Sequence, residues 1–235
     1  MVKNLAIIPA RTGSKRIPDK NIVNFMGKPL IAYTIEAAIE SDLFDDIIVS
    51  TDSPEYAKIA EKYGAWVPFL RKEYNDDYSP LNKVYLSVLD MIKTELGKEY
   101  SNICALQATC PLRDASIIKT IYNFFLDSDS KTVLSCSKFN FMNPWWSFKM
   151  AYNSEADFML SNPVKTRSQD NEELFYPTGA VGFAKVKDFI EDSTFYGKGH
   201  KFFSIDWKYA VDIDNYQDLE FAKAVFSMIN QTKET

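Results

Sequence analysis

The segment IIPARTGSKRIPDKN, residues 7–21, places a basic loop directly after an apolar run. Residues 5–10 are continuously apolar, which is typical of a buried β-strand. The loop that follows contains four cations, a glycine and a serine, which are Arg11, Gly13, Ser14, Lys15, Arg16 and Lys20. Because ligands of open α/β sheets bind at the carboxyl ends of the strands, this loop indicates an anion site.

Beyond this loop, apolar strands alternate with amphipathic helices up to residue 137. The patterns predict strands at residues 5–10, 47–51, 67–70, 102–108 and 132–137, and helices at residues 28–39, 54–63, 81–92 and 117–125. Ser53 is a predicted N-cap before Pro54, and Gly64 is predicted to follow the end of that helix. Because the strands are continuous apolar runs, we predict an α/β fold, a doubly wound and mostly parallel sheet with helices on both faces.

Polar clusters follow three of these strands at the same end. They are ARTGSKR at residues 10–16, STDS at residues 50–53 and QATCPLRD at residues 107–114. In a parallel sheet the carboxyl ends of neighbouring strands lie at one edge, so the three clusters are expected to meet there. The agreement between apolar periodicity and polar placement predicts one binding site at this edge.

Residues 138–160 interrupt the alternation. This stretch is rich in aromatic residues and has no helical period, so it is predicted to form an arm or hairpin. It has two interpretations, a satellite apolar cluster under a loop or a contact surface for another subunit. Further strands are predicted near residues 180–184 and 202–205, and residues 209–229 are predicted to be a strand that leads into a closing helix. With no repeat or linker, we predict one domain, residues 1–235, with the arm inserted at about residues 138–175.

The composition excludes several classes of protein. The formal net charge is −5, which argues against non-specific nucleic-acid binding, since that usually needs a basic surface. Three cysteines without a CxxC pair and a single histidine exclude the usual zinc patterns and a disulfide framework. No run approaches the length of a membrane span, and the first residues lack the features of a signal peptide. The sequence therefore predicts a cytoplasmic protein that does not bind a membrane.

The first loop has the chemistry of a polyphosphate site. Gly13 permits tight curvature, so that successive backbone N–H groups can point at one anion. Arg11 supplies a planar fork of donors and Lys20 a compact point charge. The loop is neither a Walker A motif, since no GKS or GKT follows at the required spacing, nor a GxGxxG motif. By itself it indicates phosphate binding and no particular reaction.

The stretch VDIDNYQD carries a second charged pair, Asp212 and Asp214. If the segment is a strand, alternate residues share a face, so both carboxylates point the same way. Two like charges so close are unfavourable unless a cation joins them, and Mg²⁺ prefers oxygen ligands and bridges carboxylates to phosphates. The alternative is a pair of solvated acids, with Asp214 or Asn215 capping the last helix. The polyphosphate loop favours Mg²⁺ as the cofactor.

Eight motifs occur in a family's order and spacing, namely IIPARTGSKRIPDKN, GKPLIAYTIEAA, IIVSTDS, FLRKEY, LQATCPLR, TRSQD, PTGAVGF and DIDNYQDLE. Together they resemble the acylneuraminate cytidylyltransferases, the synthetases of CMP-activated sialic, legionaminic and pseudaminic acids. The resemblance covers nearly the whole chain and implies a Rossmann-like nucleotidyltransferase fold. It also implies a reaction in which the anomeric hydroxyl of a nine-carbon 2-keto sugar acid attacks the α-phosphate of CTP and pyrophosphate leaves.

The resemblance also implies roles for individual residues. In the nucleotide and metal site, they are Arg11 and Lys20 on the triphosphate with Gly13, Ser14 and Lys15 in the phosphate loop, Asn21 on the nucleotide, Arg71 and Ser79 towards the cytidine, and Asp212 and Asp214 on Mg²⁺. In the sugar site, they are Gln107, with Lys149, Arg167 and Gln169 as further substrate-binding residues. In relatives the aromatic arm dimerises, so a homodimer with shared active sites is expected.

The sequence leaves the sugar open, because Thr178 and Gly182 depart from the family's commoner Asn and Tyr. Three other functions remain to be weighed. A cytidylyltransferase for an eight-carbon sugar acid would share the fold but begin with a different loop. A metal-dependent glycosyltransferase would carry the acidic motif nearer the middle of the chain. A non-catalytic nucleotide-binding homologue would not need to keep Arg11, Lys20, Gln107, Asp212 and Asp214 together.

Overall fold

A six-stranded sheet lies at the centre of the structure, a computed structural model that describes residues 2–76, 78–140, 144–160, 167 and 170–233. Its strands are β1 (Asn4–Pro9), β4 (Asp46–Ser50), β5 (Asn102–Ala105), β6 (Thr132–Lys138), β9 (Phe175–Lys185) and β10 (Lys201–Ser204). Their spatial order is β10-β6-β9-β5-β1-β4, and β9 alone runs antiparallel to its neighbours. The prediction of a mostly parallel sheet is confirmed.

Helices cover both faces of the sheet. They are α1 (Leu30–Glu40), α2 (Pro54–Lys62), α3 (Leu81–Leu96), α4 (Ala115–Asp127), α5 (Val186–Asp192) and α6 (Tyr216–Lys233). The apolar sides of α1, α2 and α4 share one buried cluster with β1, whereas α3 and α5 share another cluster on the opposite face. This arrangement is the predicted doubly wound fold. In the described residues no helix is long and apolar enough to cross a membrane.

A third apolar cluster fixes the basic loop that follows β1. Ile17 of this loop is fully buried together with Phe25, which lies in the small hairpin of β2 (Asn24–Phe25) and β3 (Lys28–Pro29). Both pack with Val211, Ile213 and residues of α6. The cluster therefore brings the N-terminal loop and the C-terminal acidic segment together, although about 200 residues of sequence separate them.

The ends of α2 follow the predicted capping chemistry. The Ser53 side chain accepts hydrogen bonds from the backbone N–H groups of Glu55 and Tyr56, and Pro54 occupies the first helical position. Gly64 has φ +95°, the left-handed conformation that favours glycine after a helix. A Cβ at this position would lie only 2.9 Å from Ile39 Cδ1. The positive φ, and not this contact with the end of the exposed Ile39 side chain, is therefore the main reason for a glycine here.

Two predicted strands are wrong. Residues 67–70 do not join the sheet, and only Trp66 forms an isolated bridge to Ile48. Pro68 within this run lacks the N–H that a strand ladder needs. Residues 211–214 are not a strand either, because their apolar side chains pack against α6 instead of extending the sheet.

The predicted arm contains an antiparallel hairpin of β7 (Phe148–Met150) and β8 (Ala156–Phe158). It follows a short 3₁₀ turn, Pro144–Trp146, and many of its apolar side chains are exposed.

The helix α5 was not predicted, since its seven residues are too few to show a periodic pattern.

Candidate active site

A cavity of about 500 Å³ lies at the carboxyl ends of β1 and β5. It brings together nine residues predicted from the sequence, which are Arg11, Ser14, Lys15, Lys20, Asn21, Arg71, Ser79, Gln107 and Asp214. Two of the three polar clusters line the cavity, the one after β1 and the one after β5. The STDS cluster does not line it; it supports the wall from outside, through hydrogen bonds from Thr12 to Asp52 and from the Arg71 backbone N–H to Thr51. The lining of the cavity is strongly basic although the chain as a whole is acidic.

The loop after β1 has a fixed shape. Gly13 has φ +73°, and the Arg11 guanidinium folds back so that Nη1 donates to the Thr12 carbonyl oxygen at 3.0 Å. Asn21 is buried, and its Nδ2 donates to the Arg11 carbonyl oxygen at 3.0 Å. The Thr12 backbone N–H and hydroxyl both donate to the Asp52 carboxylate at 2.8 Å. These hydrogen bonds hold the loop against the residues that follow β4.

Asp214 forms ion pairs with two cations of the same loop. Lys20 Nζ lies 2.9 Å from Asp214 Oδ1, and Arg16 Nη2 lies 3.2 Å from Asp214 Oδ2. Burial alone would raise the pKa of Asp214, but the hydrogen bond and charge of Lys20, with the charge of Arg16, outweigh it and lower the pKa. Asp214 therefore stays ionised and connects the start of α6 to the basic loop.

Arg71 offers the cavity an unsatisfied donor. Its side chain is only 8% exposed, and Nε donates to Asn75 Oδ1 at 3.0 Å. Nη2 is buried and has no hydrogen-bond partner in the described part of the chain. Its backbone N–H donates to the Thr51 carbonyl oxygen at 2.7 Å, which fixes the residue beside β4. Burial lowers the pKa of Arg71, the charge of Asp52 opposes this change, and the charge of Arg11 adds to it. A buried cation with an orphan N–H is a natural partner for an anion or a carbonyl oxygen.

Ser79 closes another side of the cavity through a compact turn. Its hydroxyl donates to Asp76 Oδ1 at 3.0 Å, and the Tyr78 backbone N–H donates to the same oxygen at 2.8 Å. The hydrogen bonds from Tyr78 and Ser79 lower the pKa of Asp76. The turn places Ser79 at the start of α3, beside Leu81 and Val84 of the cavity wall.

Gln107 separates this cavity from a second one of about 240 Å³. Both cavities share Leu81 and Gln107, and the second is lined mainly by α3, β9 and the residues after α5. Its other lining residues are Asn82, Tyr85, Ala105, Leu134, Thr178, Gly179, Val181, Gly182, Phe195 and Tyr196. A Cβ on Gly179 would lie 2.5 Å from Gln107 Cδ, so the glycine allows Gln107 to lie directly against β9.

Asp212 lies outside both cavities, at a third recess of about 560 Å³. Val211 and Ile213 are buried, so Asp212 and Asp214 lie on the outer side of the segment, but they line different recesses. Asp212 is exposed to solvent as a residue, but neighbouring atoms crowd its carboxylate and so raise its pKa. The Thr109 side chain opposes this change, and the charge of Asp214 adds to it. The two aspartates are thus close enough to repel each other.

The described residues contain no group of three or more His, Cys, Asp or Glu side chains that could hold a metal ion. A metal between Asp212 and Asp214 would therefore take its remaining ligands from a substrate or from water. The repulsion between the two carboxylates, and their oxygen ligands, are compatible with Mg²⁺ held in this way.

The predicted residues of the arm lie apart from the cavity of the same chain. Lys149 is an exposed residue of β7 and lines neither cavity. Arg167 is exposed, and its Nε pairs with Asp170 Oδ2 at 3.0 Å. Gln169 lies outside the described residues. Gly13 belongs to the loop, although its own atoms do not line the cavity.

Several residues of the site were not assigned a role from the sequence. Arg16 lines the cavity and pairs with Asp214, and its place among the four cations of the first loop was the available signal. Asp52 anchors the loop from the STDS cluster. Thr109 and Arg113 belong to the QATCPLRD cluster, but only the folded chain shows that Thr109 lines the cavity and that Arg113 is buried.

Comparison with known proteins shows similarity along nearly the whole chain. The family model described as cytidylyltransferase matches residues 5–233. Pseudaminic acid cytidylyltransferase of Campylobacter jejuni is 36% identical over 232 residues, which are 98% of this chain and 99% of that protein. CMP-N,N'-diacetyllegionaminic acid synthase of Legionella pneumophila is 33% identical over 199 residues, which are 84% of each chain. N-acylneuraminate cytidylyltransferase of Escherichia coli is 32% identical over 98% of this chain but only 54% of that protein.

The similar solved structures include a CMP:2-keto-3-deoxy-manno-octonic acid synthetase in complex with CTP. It has a TM-score of 0.70 and 16% sequence identity, and the match covers 96% of this chain and 99% of that chain. At this level of identity the likeness shows the fold alone.

Proposed function

The chain belongs to the cytidylyltransferase family, and we propose that it transfers CMP from CTP to the anomeric hydroxyl of a nonulosonic acid, a nine-carbon 2-keto sugar acid. The relatives that support the substrate class are named for pseudaminic, legionaminic and acylneuraminic acids. Of these, the pseudaminic acid enzyme has the highest identity and matches almost end to end, so a pseudaminic-type acid is the substrate we propose.

The observation that carries this proposal is the basic cavity itself. It collects Arg11, Lys15, Arg16, Lys20 and Arg71 in a chain whose net charge is −5. A triphosphate is the part of CTP that needs such a concentration of positive charge. The volume of the cavity, about 500 Å³, lies within the range of small-molecule sites.

We assign the sugar acid to the second cavity, which adjoins the first across Gln107. Its walls are mostly apolar, with Tyr85, Leu134 and Phe195, and polar groups are few. Such a lining suits a sugar with acyl and methyl groups better than one with only hydroxyl groups, since each buried hydroxyl needs a partner. In this arrangement Gln107 can contact the acceptor and the α-phosphate at the point where they meet.

The proposed reaction is an in-line displacement. The anomeric oxygen forms a bond to the α-phosphorus of CTP, the bond from that phosphorus to the bridging oxygen breaks, and pyrophosphate leaves. Arg11 and Lys20 would neutralise negative charge on the triphosphate as the leaving group departs. We propose that one of the two aspartates accepts the hydroxyl proton. Asp214 lines the nucleotide cavity, whereas Asp212 lies in the adjoining recess.

We propose that Asp212 and Asp214 also hold Mg²⁺. When bound, the ion would supply charge to the phosphate oxygens and lower the pKa of the attacking hydroxyl. For this to happen Asp214 must give up at least part of its ion pairs with Lys20 and Arg16. The two cations would then be available to the triphosphate, so that nucleotide binding exchanges one set of charge pairs for another.

The carboxylate of the sugar acid needs a cation that the second cavity does not provide within the described residues. We propose that Lys149 and Arg167 provide it in a homodimer, where the arm of one subunit reaches the site of the other. The support is that both residues lie on the arm, away from the cavity of their own chain, and that the hairpin exposes apolar side chains.

The proposal is tested by pyrophosphate release from CTP and Mg²⁺ with a panel of sugar acids. The panel contains pseudaminic, legionaminic and sialic acids and an eight-carbon keto-acid. We expect release with a nine-carbon acid, fastest with the pseudaminic type, and with CTP in preference to UTP and ATP. Release only with the eight-carbon acid would replace the substrate class, and silence from protein that binds CTP would favour a non-catalytic homologue.

A further inference from the structure

Arg113 is the largest fully buried side chain of the described residues, and its position is unusual for a cation. It is only 1% exposed, and no carboxylate of the described residues lies within ion-pair distance of it. Burial lowers the pKa of Arg113, with Asp212 among the charges that oppose this change. Buried charges are normally paired, so an unpaired buried guanidinium requires an explanation.

The guanidinium donates hydrogen bonds to two carbonyl oxygens of a tight turn that follows β5. Its Nη1 donates to the Cys110 carbonyl oxygen, and its Nη2 donates to the Gln107 carbonyl oxygen at 3.0 Å. The turn itself is closed by the Cys110 backbone N–H, which donates to the Gln107 carbonyl oxygen at 3.3 Å. The two donors of one rigid fork therefore grip both ends of a four-residue turn. Arg113 Nε has no hydrogen-bond partner among the described residues, so only the two Nη groups of the guanidinium are used.

The turn of residues 107–110 contacts both cavities and the acidic segment of residues 212–214. The Gln107 backbone N–H donates to the Gly179 carbonyl oxygen of β9 at 3.2 Å, and its side chain lies between the cavities. The Thr109 carbonyl oxygen accepts from the Ile213 backbone N–H at 2.8 Å, which ties the turn to the segment that carries Asp212 and Asp214. A shift of this turn would therefore move both Gln107 and the aspartate segment.

We propose that Arg113 is a positioning residue, which sets the turn of residues 107–110 so that Gln107 and Asp212 take their places relative to the nucleotide and the acceptor. The inference rests on the proposed cytidylyl transfer and adds a residue that touches neither substrate. In-line displacement is sensitive to displacements of this kind, because the reacting atoms must be aligned within fractions of an ångström. The main support is the pair of carbonyl bonds, since a merely space-filling side chain would make neither.

The test compares three variants of the full chain. Arg113→Met keeps an unbranched apolar stem of shorter length and removes the charge and the donors, and Arg113→Lys keeps the charge without the fork. Phe125→Leu, in the buried face of α4 that follows Arg113, is the control for a general loss of core stability. For each we would measure the melting temperature, the Kd for CTP by calorimetry, kcat and KM for the best acceptor, and amide hydrogen exchange of residues 106–112.

For Arg113→Met we expect kcat to fall on the order of tenfold or more, with the Kd for CTP changed less than about threefold. Arg113→Lys should recover only a small part of kcat, because one ammonium group cannot grip two carbonyl oxygens as the fork does. Phe125→Leu should keep kcat within about twofold, even if its melting temperature falls as far as that of Arg113→Met. Exchange in residues 106–112 should be faster in Arg113→Met than in the control.

Two results would overturn the inference. One is a wild-type kcat in Arg113→Met or full recovery in Arg113→Lys, and the other is a loss of kcat in Phe125→Leu equal to that in Arg113→Met. If the wild-type chain transfers CMP to no acceptor, the proposed function fails separately. Hydrogen exchange still decides the positioning role in that case, since equal exchange in Arg113→Met and the control would exclude it.

Discussion

At the scale of single residues, Lys20 gives the most direct test of the proposed chemistry. Its side chain is only 13% exposed and forms an ion pair with Asp214 at 2.9 Å on the wall of the cavity. We expect Lys20→Met to lower kcat/KM for CTP on the order of a hundredfold or more, because a positioned charge on the transferring phosphate is lost. Pyrophosphate release measures this effect. Lys28→Met, which removes a lysine paired with Glu36 outside the cavity, is the matched control and should retain activity.

If Lys20→Met and Lys28→Met release pyrophosphate at the same rate, Lys20 does not belong to the active site. The melting temperature of each variant shows whether a loss of activity comes from unfolding instead. Lys20→Met also leaves Asp214 with Arg16 as its cation, so the fold should survive.

Gly182 offers a test of the second cavity. It lies in β9 opposite Ala105 and Leu134, and a Cβ there would lie 3.0 Å from Leu134 Cδ2. We expect Gly182→Val to fill part of the cavity and raise KM for the sugar acid about tenfold or more, with the Kd for CTP nearly unchanged. Steady-state kinetics and calorimetry measure the two quantities. Equal losses for CTP and the acceptor, or no loss for either, would contradict our assignment of this cavity to the sugar.

The sequence predicted the basic loop well, because the loop is continuous and its charges are visible in order. It could not predict that Asp212 and Asp214 line different recesses, since that depends on how the segment packs against α6. The same holds for Arg113, which resembles any other arginine before a helix until its burial is known. Placement of a residue in a site depends on tertiary contacts that a linear pattern does not contain.

At the scale of elements, the prediction was most accurate where local chemistry alone decides the structure. The helix α2 begins and ends where its N-cap serine, first-turn proline and terminal glycine indicate. The predicted strand at residues 67–70 was wrong because strand formation needs a partner, and Pro68 limits the pairing that remains beside β4. Helix signals are local, whereas strand pairing is decided by the whole sheet.

The cap of α2 gives a stability prediction at this scale. Ser53 accepts hydrogen bonds from two backbone N–H groups, and substitution of such caps by alanine costs about 1 kcal/mol. We therefore expect Ser53→Ala to lower the free energy of unfolding by about 1 kcal/mol, measured by urea denaturation. Ser53→Asp keeps an acceptor at the cap and should be close to wild type. If both variants lose the same stability, the cap is not the reason.

At the scale of the whole molecule, charge and apolar surface are distributed unevenly. The basic residues of the cavity meet at one edge of the sheet, in a chain with net charge −5. Exposed apolar side chains collect on the arm, including Trp146, Phe148, Met150 and Met159. A patch of this kind is typical of an interface rather than of a surface that stays in water. This distribution supports the proposed homodimer, in which the arm of one subunit would complete the site of another.

The double variant Phe148→Asp with Met150→Asp tests this assembly. Both residues lie in β7 and are exposed, so charges there should leave the fold intact but oppose burial of the hairpin against a second chain. We expect light scattering to show a dimer for the wild-type chain and a monomer for the variant. Leu126→Asp introduces a similar charge on an exposed apolar residue of α4 and should remain a dimer. A dimeric double variant would exclude the hairpin as the interface. A monomer that keeps full activity would show that Lys149 and Arg167 do not act across subunits.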